Sequence, residues 1–99
     1  MTIRHIVAWK LTTDDAEERA EQTGRIRRDL LALREVVPGI VDITVGSDVV
    51  GGSNWDLAIV ADFTDVAALE GYQVHPAHLE VVAYVRSVVS ERAAVDFEL

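Results

Sequence analysis

From Thr2 to Leu11 apolar and polar residues alternate. Ile3, His5, Val7, Trp9 and Leu11 point one way, and Arg4, Ile6, Ala8 and Lys10 the other. This predicts a strand with one strongly apolar face and a second face apolar in its middle. The period then changes. TTDDAEERAEQ opens a helix, with Asp14 and Glu17 spaced as a capping box. Ile26, Leu30, Leu33 and Val37 follow at steps of four, three and four, a stripe for burial. Gly24 within this helix costs up to ~1 kcal/mol relative to alanine, and PGI at 38–40 ends it.

Residues 41–47 alternate again, DVVGGSN (48–54) carries hairpin-turn residues, and WDLAIVADF (55–63) returns as a strand. Trp55, Leu57, Ile59, Ala61 and Phe63 share one face of it; Ala58 and Val60 lie on the other, with Asp56 and Asp62 at the rim. Residues 64–73 predict a short helix that breaks near Gly71. HLEVVAYVRSVVS is rich in valine, which favours strands. Its spacing nevertheless predicts a helix: Val81, Val82, Val85, Val88 and Val89 fall on one face, with Glu80, Tyr84, Ser87 and Glu91 opposite. AAVDFEL (93–99) closes the chain as a strand with Val95, Phe97 and Leu99 on one face.

The order β-α-β-β-α-β predicts one α+β domain over residues 1–99, a ferredoxin-like four-stranded antiparallel sheet with its helices on one face. The opposite sheet face then carries Ile6, Ala8, Ala58 and Val60, too apolar to remain in water. The expected cover is a second copy packed sheet against sheet, so the chain's expected partner is itself, as a homodimer.

Composition narrows the function classes. Nine Lys and Arg against 17 Asp and Glu give a net charge of −8, which repels phosphate backbones, so nucleic acid is not an expected partner. The basic stretch RIRRDLLALRE (25–35) reads as a solvated helix face. No apolar run approaches the ~20 residues that span a bilayer, and the first residues carry no long apolar signal stretch. Cysteine is absent, which removes disulfides, thiolate metal sites and thiol nucleophiles. The expectation is a cytoplasmic protein with no membrane partner and no cofactor.

Five segments occur in series: IRHIVAWKL, VPGI, DLAIVADF, YQVHPAH and VDFEL. Together they resemble the stress-responsive A/B barrel domain (Dabb) family over essentially the whole chain, the Tyr-x-x-His-Pro-x-His element being the most specific piece. The resemblance implies a ferredoxin-like chain paired into a dimeric α/β barrel. Many members are small stress-associated proteins. One plant branch consists of polyketide cyclases, cofactor-free lyases that close a poly-β-keto chain by an intramolecular aldol reaction. In that branch the tyrosine and the second histidine of the motif are the catalytic pair, here Tyr72 and His78, and the first-strand histidine is matched by His5. The branch also places a tyrosine on the pocket side of the first helix. Leu30 stands there in this chain, a departure that bears on the cyclase chemistry or on its substrate.

The residues themselves allow two accounts of GYQVHPAHLE (71–80). In one, a neutral His78 removes a proton α to a carbonyl while the Tyr72 hydroxyl meets the developing enolate oxygen. His5, Val7, Trp9 and Leu30 then border an apolar pocket between sheet and helices. In the other, His75 caps a helix whose first residue is Pro76, both histidines satisfy first-turn amides, and the Tyr72 hydroxyl bonds backbone. Three histidines invite a zinc reading, but they flank a helix start without a recognisable supporting carboxylate, so no metal site is expected. The leading expectation is a homodimeric A/B barrel protein that binds a small hydrophobic or keto-containing molecule. The alternatives are a cyclase-like lyase and a structural, stress-protective protein.

Overall fold

The computed structural model describes all residues, 1–99. Its elements are β1 (Ile3–Leu11), α1 (Ala16–Ala32), β2 (Ile40–Ser47), β3 (Leu57–Phe63), α2 (Val66–Val74), α3 (Pro76–Val88) and β4 (Val89–Glu98), with a single 3-10 turn at Leu33–Glu35. The strands form one antiparallel sheet in the order β2-β3-β1-β4. This is the ferredoxin-like arrangement, with α2 and α3 together forming the second helical crossover.

Strand alternation decides which side chains meet the helices. His5, Val7 and Trp9 of β1 lie opposite Ala61, Ile59 and Leu57 of β3, and all six are buried. Ile26 and Leu30 of α1 pack onto them, joined by Leu33 of the 3-10 turn and Val37 beyond it, each at most 4% exposed; the α-helix itself ends at Ala32, before the expected stop at PGI. Burial of this stripe, at roughly 1.5–3 kcal/mol for each fully buried aliphatic side chain, fastens α1 to the sheet.

Several boundaries differ from the sequence expectation, each for a local reason. The N-cap of α1 is Asp15, whose Oδ2 accepts from the Glu18 amide at 2.9 Å, so the cap sits one residue after Asp14 and Glu17. The Thr13 hydroxyl accepts the Asp15 amide at 3.1 Å and holds Asp15 in the extended conformation a cap requires. β3 starts at Leu57 rather than Trp55. Asp56 instead tethers the end of β1, its amide donating to the Trp9 carbonyl and its Oδ2 accepting from the Leu11 amide at 2.7 Å. Trp55 is half-buried beside Ala8 and Ala58 on the outer face, with the Lys10 ammonium 5.3 Å from its ring centre, so it is not a core residue.

The α2 helix runs through Gly71 and ends where Pro76 forces His75 out of the helical region, to φ −64° and ψ 133°. β4 begins at Val89, four residues before the expected start. Its ladder with β1 reaches Leu11 opposite Val89, and these hydrogen bonds override the helical spacing of the valines. Tyr84 is half-buried rather than solvent-facing, because the Arg25 guanidinium lies 3.7 Å from its ring centre.

Gly39 is the glycine the fold requires. Its φ is 88°, and a Cβ there would stand 2.6 Å from the Ala68 Cβ, so α2 can approach the start of β2 only over a bare backbone. Gly24 is different, since a Cβ there would meet nothing within 4 Å.

The outer sheet face is uncovered. Ile6 lies between Val60 and Val95, and Ala8 between Ala58 and Ala93. Arg4 lies between Asp62 and Phe97 and grips the carboxylate with two hydrogen bonds of 2.8 and 3.0 Å. That grip holds the Asp62 carboxyl below its ordinary range. No helix is long and apolar enough to cross a membrane.

Candidate functional site

A cavity of about 260 Å³ lies between the inner sheet face and the α2–α3 crossover, and His5, Val7, Trp9, Leu30, Tyr72 and His78 all border it. Val7, Trp9 and Ile59 supply a floor from alternate strand positions, and Val81 and Val85 form an apolar wall on α3. Leu30 reaches the cavity from α1, so an aliphatic group stands on that side.

The polar wall is set by the break at His75. The His75 Nδ1 accepts from the Ala77 amide at 3.1 Å and caps α3, with Pro76 at its first position. His75 is thus a structural residue. His78, one turn further on, does not satisfy a free amide. Its Nδ1 lies 3.4 Å from the Gln73 carbonyl oxygen, which can only accept, a contact that favours the tautomer with the proton on Nδ1 and the lone pair on Nε2. The His78 ring packs on Tyr72 with centroids 4.0 Å apart and planes inclined by 34°.

Tyr72 is 1% exposed, and burial alone drives its pKa far above the ordinary phenol value. No hydrogen bond contributes to that shift. The hydroxyl therefore does not bond backbone as one sequence account supposed, and it stays protonated as a donor. For His78 burial is the leading cause of a lowered pKa. The Gln73 carbonyl opposes it, while repulsion from His5, Arg92 and His75 adds to it. Near neutral pH the ring is the neutral species.

His5 is 4% exposed and pairs through Nδ1 with the Asp96 carboxylate on the neighbouring strand. A partner on Nδ1 orients the ring, and its edge meets both Phe63 and Tyr72 at centroid distances of 6.3 and 6.1 Å. The three histidines thus hold separate posts, and no group of three or more His, Asp or Glu side chains is placed to hold a metal ion.

Sequence reasoning missed Asp96, Gln73, Arg86 and Arg92. Asp96 and Arg92 lie directly opposite His5 and Trp9, on the inner face of β4. A signal existed: Val95 and Phe97 alternate with Asp96, so sending the apolar pair outward turns the acid inward. Their use in the outer patch becomes visible only through the register. The Gln73 carbonyl leaves no trace in residue identity.

These features define a class: a single ferredoxin-like α+β chain with one uncovered sheet face and an apolar pocket bordered by a tyrosine–histidine pair. The Stress Responsive A/B Barrel Domain (Dabb) family model matches residues 3–99, and the chain belongs to that family. No curated protein sequence matches it. Among solved structures, a dimeric protein of unknown function with a ferredoxin-like fold from Bacteroides fragilis superposes with a TM-score of 0.92 at 27% identity, over 99% of this chain and 96% of that one. A dimeric ferredoxin-like protein of unknown function from Thermobifida fusca gives 0.84 at 29% identity, over 100% and 92%. The hydroxynitrile lyase of Passiflora edulis gives 0.79 at 18% identity, over 97% and 91%, a likeness of fold alone.

Proposed function

We propose that this chain acts in the cytoplasm as a homodimer, paired through the outer sheet face, and binds a small, largely apolar, keto-containing molecule in the pocket beside Tyr72 and His78. The observation that carries the reading is an open cavity of about 260 Å³ whose mostly apolar lining includes Tyr72, with a hydroxyl that can donate, and His78, with a ring nitrogen that can accept. Apolar lining with a few convergent polar groups is the usual make-up of a small-molecule site. A stress-protective protein without a ligand would be expected to fill this space with its own side chains. The dimer is supported by the apolar rows Val60–Ile6–Val95 and Ala58–Ala8–Ala93 and by two relatives described as dimeric.

A catalytic version is favoured by the tautomer of His78. A neutral imidazole whose Nδ1–H donates to the Gln73 carbonyl leaves its Nε2 lone pair free to remove a proton α to a ketone, and a protonated tyrosine is suited to hydrogen-bond the enolate oxygen. In that version Tyr72 and His78 are the catalytic pair of a cyclase-like lyase, and His5, held by Asp96, positions the tyrosine edge. A branch member of that kind needs no cofactor.

The test is α-proton exchange in heavy water. A small β-diketone is incubated with the protein and with His78→Gln, and exchange is followed by NMR. Binding with exchange that disappears in His78→Gln supports the lyase. Binding with no exchange above buffer leaves a binding protein. A pocket that takes up no ketone at millimolar concentration overturns both.

A further inference from the structure

The cavity's charge runs against that of the chain. Acids outnumber bases by 17 to nine overall, yet no carboxylate lines the cavity while two guanidinium groups do, Arg86 from α3 and Arg92 from β4. Both are exposed, so they stand at the mouth rather than in the apolar interior. They are also the arginines without a protein partner. Ion pairs of the chain use Arg4, His5, Lys10, Arg19, Arg25, Arg28 and Arg34, and Arg27 donates to the Val45 carbonyl. The nearby acids are engaged elsewhere, Asp96 with His5 and Glu91 with Lys10 at 3.2 Å.

Two unpaired guanidinium groups facing one opening, from separate elements, leave donor forks without an acceptor. Resting on the pocket reading above, we infer that the ligand's apolar body carries one carboxylate, held at the mouth by Arg86 and Arg92 while the body lies over Val7 and Trp9. The planar forks match a planar carboxylate, and the valine wall of α3 takes the aliphatic or aromatic portion. The ligand class is then an apolar keto acid or a comparable monoanionic acid. A neutral polyketide or ketone would leave both arginines idle.

The test uses octanoate and octanamide, equal in length and differing in charge. Both are titrated calorimetrically into the wild-type protein and into an Arg86→Gln, Arg92→Gln double variant, whose exposed positions leave the fold measurable by circular dichroism. The expected result is an octanoate preference of roughly tenfold that narrows as salt is raised and vanishes in the double variant. Equal binding of the two probes overturns the inference while leaving the pocket reading intact. A preference that survives in the double variant overturns the role of these arginines. Failure of both probes to bind overturns the pocket reading and the inference with it.

Discussion

The rings of Tyr72 and His78 lie 4.0 Å apart across the break between α2 and α3, on opposite sides of the turn that His75 and Pro76 enforce. The tyrosine belongs to the last turn of one helix and the histidine to the first turn of the next. Neither helix alone would bring them together, since the extended backbone of His75 changes the chain direction between them.

That packing makes His78 a pH-sensitive group. Burial lowers its pKa from the ordinary 6.5, so the unfolded chain binds more protons than the folded one between the folded value and 6.5. Stability is full above 6.5 and declines as pH falls through the folded value. The expected outcome is a His78 ring resonance titrating below 6.5 in the native protein. Denaturation midpoints should fall with acid less steeply in His78→Asn than in the wild type. A native titration at or above the ordinary value would refute the burial argument.

Removing the Tyr72 hydroxyl separates packing from chemistry. The hydroxyl has no protein hydrogen bond to lose, so Tyr72→Phe should change unfolding free energy by no more than about 0.5 kcal/mol. Affinity for a ketone should fall by about the ~1 kcal/mol of one hydrogen bond. Urea denaturation and calorimetry measure the two effects. A stability loss well above that margin would mean that the hydroxyl holds the fold.

Charge placed in the outer apolar rows should separate the protomers. Ile6 sits at the centre of this face, flanked by Val60 and Val95. Ile6→Glu is expected to convert a dimer into a folded monomer in sedimentation velocity, because burying an unpaired carboxylate costs several kcal/mol. A wild-type chain that sediments as a monomer, or a variant that stays dimeric, would exclude pairing through this face.

Two glycines of the first crossover, Gly24 within α1 and Gly39 just before β2, should respond in opposite directions. Gly24 is an interior helical residue with open space around its Cβ position, so Gly24→Ala should stabilise by up to ~1 kcal/mol, a melting-temperature gain of about 4–8 °C. Gly39→Ala must both accept a φ of 88° and displace Ala68, and should lower the melting temperature clearly. Differential scanning calorimetry distinguishes them, and a destabilised Gly24→Ala would point to a contact at that helix face.

Element types and the buried faces of β1, α1 and the body of β3 were readable from periodicity, because a strand or helix half-covered by a core must repeat its apolar residues at the spacing of its backbone. Val7, Trp9, Leu30 and the α1 stripe are cases where that logic sufficed. The capping role of His75 was also local, since proline at the first helical position leaves its predecessor few conformations. Element ends were less legible. Asp14 and Asp15 offer the same carboxylate, and the Thr13 hydroxyl chooses between them. The valines of 85–89 suit helix and strand alike, and the β1 ladder claims Val89.

The polar half of the site depended on contacts across long sequence separation. Asp96 meets His5 only through the β1–β4 register, and Arg92 comes to face the cavity by the same pairing. The sequence specified which residues could be buried, which could cap and which could carry a proton, because those follow from side-chain chemistry and local spacing. Tertiary structure decided which of them share a cavity and which backbone carbonyl the His78 ring faces. A one-residue slip of β4 would turn Asp96 and Arg92 to the opposite face, and nothing in the local chemistry of either residue forbids it.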